Sequence, residues 1–209
     1  MSHVMELKMK KQHLVFSIVF VMFFLVLSGC IPPFSISPIF NDKDIVYDPD
    51  LAGNWAAKGS DDTWIFKNAK EKYDFYHLTI VTRDGVSPFN AYLVKIKDTL
   101  YLDVSTDSRF FEGGRDLTLA IPVHAFLRVR KNGAEWEMAL INEKWFDKYI
   151  KDNPDAIPHQ VINPEEEEKD QDYLLTGSTE EMQSFLIKIQ GINDAWEPKP
   201  TILQRLKPE

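Results

Sequence analysis

Cysteine is nearly absent from this chain: Cys30 is the only one in 209 residues. A lone thiol has no partner for an intrachain disulfide and no companion ligand for a metal. Histidine is scarce as well. Beyond residue 30 there are His77, His124 and His159, and none stands in H-x-x-x-H or H-E-x-x-H spacing. The pattern therefore supports neither a metal site nor a metal cofactor. No G-x-S-x-G elbow occurs, and Thr176-Gly177-Ser178-Thr179 reads as a helix cap rather than a nucleophile. A Ser/His/Asp triad assembled from distant positions stays open, because triads are geometric rather than sequential. Basic residues are outnumbered, 24 Lys+Arg against 32 Asp+Glu, which argues against nucleic acid as a partner, since phosphate binding needs a basic stripe. No internal repeat is present.

Long apolar runs are also missing, with one short exception at the start. Lys8, Lys10 and Lys11 precede Leu14–Leu27, a stretch of 14 residues in which only Ser17 is polar. That is too short for a permanent membrane span and fits a secretory signal. The stretch ends in Leu27-Ser28-Gly29-Cys30, which resembles the lipobox of bacterial lipoprotein precursors. The resemblance implies that residues 1–29 are a signal peptide and that Cys30 carries the acyl (palmitate-type) anchor as the first mature residue. It further implies a lipid-anchored, extracytoplasmic location in the cell envelope. With Ile31 after the cysteine, that is the outer membrane facing the periplasm if the host is Gram-negative. Removing residues 1–29 takes away three lysines and Glu6, leaving 180 residues with 21 basic and 31 acidic side chains, a net −10. Such a surface does not dock electrostatically on anionic headgroups, so the membrane is a partner through the acyl chain alone.

After Cys30, Pro32, Pro33 and Pro38 favour an extended tether over residues 30–50, its apolar residues lying along the membrane interface or against the domain. Asp48-Pro49-Asp50 is a turn signal, and residues 51–209 read as a single globular domain with a Pro-containing tail. Thr63–Phe66, Tyr73–Thr82, Phe89–Ile96, Leu100–Val104, Val123–Arg130 and Trp136–Leu140 have strand composition and alternation. Val123, Ala125, Leu127 and Val129 should face inward, with His124, Phe126, Arg128 and Arg130 outward. Asp84-Gly85, Lys97-Asp98 and Asn132-Gly133 mark hairpins, the last expected as a type I′ turn. Two helices follow. Asn142 caps one carrying Trp145, Phe146, Tyr149 and Ile150 on one face. Ser178 and Glu181 form a capping box for another with Met182, Phe185, Leu186 and Ile189 at helical spacing. The expected fold class is β-rich α+β: a curled antiparallel meander of six to eight strands, barrel-like if it closes, with two C-terminal helices.

Leu51-Ala52-Gly53-Asn54-Trp55 resembles the G-x-W that opens the first strand of lipocalins, where the tryptophan plugs the bottom of a ligand-binding barrel. That resemblance implies an arginine packed over the tryptophan. No position in the sequence identifies it, and Ala56-Ala57 departs from the usual aromatic continuation. A Gly-x-Trp also serves as a plain turn and core anchor. The aromatic set Trp55, Trp64, Tyr73, Phe75, Tyr76, Tyr92 and Tyr101 is dense enough that some rings must leave the core face, there to be exposed or covered by the helices. The acidic clusters Asp42/Asp44/Asp48/Asp50 and Glu165–Glu168 lack the calcium-loop pattern and read as solvated charge. The function expected is a non-enzymatic binding or interaction module, without cofactor and without a catalytic set, whose partner is a protein or a small apolar ligand. The alternatives are a lipocalin-like carrier and an envelope-directed hydrolase.

Overall fold

Alternation of apolar and polar residues from Gly53 to Ala139 produces seven consecutive antiparallel strands, and an eighth arrives from the far end of the chain. The computed structural model describes residues 32–70, 74–106, 123–162 and 172–207. In chain order the elements are β1 (Phe34–Ser35), β2 (Gly53–Ala57), β3 (Thr63–Lys70), β4 (Asp74–Thr82), β5 (Gly85–Ile96), β6 (Thr99–Thr106) and β7 (His124–Asn132). Then come β8 (Glu135–Ala139), α1 (Glu143–Asp152), β9 (His159–Val161), β10 (Tyr173–Leu175), α2 (Thr179–Ile189) and β11 (Thr201–Arg205). Each strand from β2 to β8 pairs antiparallel with the next, and β11 pairs with both β8 and β2. The result is a closed eight-stranded up-and-down barrel. The short strands β1, β10 and β9 continue outward from the start of β7. The fold is therefore β-rich α+β, as the periodicity implies, and the sheet curls until it closes.

The pleat sorts side chains into two cores. Trp55, Phe66, Tyr76, Leu78, Leu93, Leu102, Trp136, Met138 and Leu203 point into the barrel and are at most 2 % exposed. Eight strands enclose a lumen just wide enough for side chains to fill, and large aromatics fill this one. The opposite faces of β5 to β8 present Val94, Ile96, Tyr101, Phe126 and Ala139 to α1 and α2, whose Phe146, Ile150, Met182, Phe185, Leu186 and Ile189 complete a second core. Burying side chains of this size stabilises by about 2 kcal/mol each. Both helix caps form as the sequence indicates. Asn142 accepts from the Trp145 N–H, and Ser178 and Glu181 exchange bonds at the start of α2. No helix among the described residues is long and apolar enough to cross a membrane.

The compact unit begins at Pro32, so residues 32–50 pack with the barrel. Ser35 and Ile39 are fully buried, and Ile45 bridges to Val94. Of the two settings left open for the apolar residues of this segment, Ile39 takes the one against the domain. The hairpin β7–β8 forms one residue later than expected. Asn132 pairs with Glu135, so Gly133-Ala134 are the turn residues, and only Gly133 has positive φ, at +62°. That is the II′ pattern, glycine first, rather than I′. At the β4–β5 hairpin the turn comes one residue earlier than expected, at Arg83-Asp84, with Gly85 opening the return strand. Strands β1, β9, β10 and β11 have no counterpart among the expected strands.

Candidate functional site

The barrel's lower end is closed by a stack built around Gly53-Asn54-Trp55. Trp55 faces its cross-strand neighbour Trp64 inside the barrel, and its indole N–H donates to the Leu51 carbonyl at 2.8 Å. Asp48 caps the single turn Pro49–Leu51, whose Leu51 packs into the barrel core. Arg205, at the end of β11, places its guanidinium 4.4 Å from the Trp55 ring centroid and donates to the carbonyls of Ala52 (3.0 Å) and Asp50. Glycine is favoured at position 53. Its φ is +135°, and a Cβ would meet Arg205 Nη1 at 2.5 Å. A second cation repeats the device: Lys131 Nζ lies 5.0 Å from the Trp136 ring and pairs with Asp48 (2.9 Å) and Asp50 (2.8 Å). Those two carboxylates hold the Lys131 ammonium above the usual lysine range. The Tyr76 hydroxyl seals the same end, donating to the Asp48 carbonyl and accepting from its N–H, and burial raises its pKa.

On the outer barrel face, Asp103 of β6 is completely buried and accepts at 2.6 Å from Nδ1 of His124 on β7. Its other oxygen accepts the Ile39 N–H at 2.9 Å. Nδ1 bonded to a buried carboxylate is the arrangement that fixes an imidazole tautomer and turns Nε2 away, as in a general-base dyad. The nearest serine by register on one side, Ser35, has its hydroxyl committed to the backbone of Ser37. The carboxylate thus joins three segments, β6, β7 and the N-terminal arm.

The other histidines are dispersed. His77 on β4 bonds Asn90, and His159 on β9 bonds the Ile157 carbonyl. Among the described residues no three His, Cys, Asp or Glu side chains gather as a metal site. Asp44 closes a turn with Asn41 and accepts from Gln183, while Asp48 and Asp50 serve Lys131. The aromatic set divides by strand face. Trp55, Trp64 and Tyr76 belong to the barrel core, whereas Phe75 stacks on Tyr92, which Phe40 of the arm covers at 4.7 Å. Tyr101 lies beneath Trp196, and burial pushes its hydroxyl up to about 12. Cys30, Tyr73 and Glu165–Glu168 lie outside the described residues. Arg205, Asp103 and Arg128 emerge only from the structure. Arg128 faces outward as the alternation implies, and Trp196 covers it there.

No protein-family model, curated protein or solved structure matches this chain.

Proposed function

We propose that this chain is a lipid-anchored extracytoplasmic module that works by contact, binding its partner on the outside of a filled barrel. The carrying observation is the lumen. Trp55, Phe66, Tyr76, Trp136 and Met138 occupy it at 2 % exposure or less, so the interior is spent on the protein's own packing. The Leu27–Cys30 lipobox supplies the anchor in this reading. The tether is short in this reading, because Phe34–Ser35 already pair within the sheet.

A second reading, a lipocalin-like carrier, draws support from the closed end. A Gly-x-Trp on the first barrel strand beneath an arginine on the last is what that resemblance asks for, on an up-and-down barrel of eight strands. Titrating detergent-extracted protein with the apolar fluorophore N-phenyl-1-naphthylamine separates the two. The contact reading expects no saturable enhancement beyond the detergent blank. Saturable uptake displaced by a fatty acid would replace it with the carrier. Esterase, peptidase and glycosidase substrate panels test the Asp103–His124 pair, and turnover abolished by His124→Ala would overturn the non-enzymatic reading.

A further inference from the structure

Among the described residues Arg128 is the only buried cation, 8 % exposed. Unlike the other buried charge, Asp103, it forms no close ion pair among the described residues, and Glu137 acts on it only through space. Nη1 donates to the Gln190 carbonyl at 3.3 Å, and the guanidinium lies 4.6 Å from the centroid of the Trp196 ring. Across the ladder sits Tyr101, its hydroxyl buried beside Thr99. Arg130, two residues along the same face of β7, forms no ion pair among the described residues either. A guanidinium carries five N–H donors, and withholding a carboxylate from a desolvated one is costly. Glu137 offsets part of that cost through space, and an anion in direct contact with the guanidinium would offset more.

Beside Arg128 is a cleft of about 180 Å³ between β7, β8 and the segment 193–200. That is room for about six water volumes at roughly 30 Å³ each, the size of a small metabolite or dipeptide. Its charged lining is balanced: Arg128 and Arg130 face Glu137 and Glu197, with Glu137 directly opposite Arg130 in the ladder. A simple anion entering would meet two carboxylates, and a simple cation two guanidinium groups. A ligand carrying both charges meets neither penalty. We propose that this cleft binds a small zwitterion of the amino-acid or dipeptide class, its carboxylate held by Arg128 and Arg130 and its ammonium directed to Glu137 and Glu197. This deepens the contact-module reading and rests on it, naming the ligand chemistry of one outer surface.

Isothermal titration of the detergent-extracted full chain with glycylglycine, acetate, methylammonium and inorganic phosphate tests it. Glycylglycine should bind saturably, with Kd below about 1 mM, and each single-charge probe at least tenfold more weakly. Arg130→Gln and Glu137→Gln leave the buried Arg128 in place. Each should weaken glycylglycine at least tenfold while circular dichroism stays unchanged. A flat glycylglycine titration, acetate binding as tightly as the dipeptide, or full affinity in both variants would overturn the proposal. Failure of the contact reading registers separately. Saturable uptake of the apolar fluorophore would displace that reading and leave the dipeptide titration as it was.

Discussion

Arg205 lies over Trp55, guanidinium to indole at 4.4 Å, and this contact ties the last strand of the barrel to the first. The same arginine takes the space a side chain at residue 53 would need. Arg205→Ala should lower stability by about 1–2 kcal/mol, from the cation–π contact and the bonds to Ala52 and Asp50. Gly53→Ala should cost about 2 kcal/mol in the parent and distinctly less in an Arg205→Ala background, because strain at φ +135° remains while the clash disappears. Denaturant midpoints of the four proteins decide this. Strict additivity would show that the two residues do not compete for space.

Gly133 offers a cleaner test of backbone strain. Its φ is +62° and a Cβ would meet nothing within 4 Å, so any penalty comes from conformation alone. Gly133→Val should destabilise by about 1–3 kcal/mol and Gly133→Asn by much less, since asparagine tolerates the left-handed region. Equal midpoints for the two variants in urea unfolding would contradict the turn geometry.

The Asp103–His124 pair predicts a rescue. His124→Ala leaves a fully buried carboxylate with the Ile39 N–H as its remaining partner among the described residues and should cost about 3 kcal/mol. Adding Asp103→Asn removes the unpaired charge while keeping an acceptor for Ile39, so the double variant should recover part of the loss. Limited proteolysis within residues 32–40 should speed up in His124→Ala and slow again in the double variant. An undiminished loss in the double variant would rule out the unpaired charge as the cause.

Local periodicity made β3 to β8, both helices and both caps legible in the sequence, because each depends on neighbours a few residues away. Closure of the barrel was not legible. Thr201–Arg205 is a five-residue strand behind Pro198 and Pro200, and its claim to be a strand rests on β2 and β8, both remote in sequence. The arginine over Trp55 was hidden for the same reason. Asp103 and His124 become neighbours only through the β6–β7 register, which pairs Ser105 with His124 and sets Asp103 on the diagonal. Arg128 sits on the polar face of an alternating strand, and no local pattern foretells that Trp196 returns to cover it.

Asp147 on α1 gives a pH dependence of definite sign. Burial, reinforced by Glu143 and Asp172 and opposed by Lys151, pushes its carboxyl up to about 6 from the ordinary 3.8. One of its oxygens, Oδ1, is buried without a hydrogen-bond partner among the described residues. The folded chain therefore holds this proton more tightly than the unfolded chain does. The stability it contributes is complete below about pH 4 and is lost as pH rises through 6. Because the side chain is only partly buried, solvent screening reduces the effect to about 1 kcal/mol. Asp147→Asn should leave the denaturation midpoint nearly unchanged at pH 4 and raise it at pH 7.5, where the parent must bury a charge that asparagine lacks. A midpoint that falls at pH 7.5 would mean that the Asp147 carboxylate is held by a favourable partner, and would reverse the sign of its contribution.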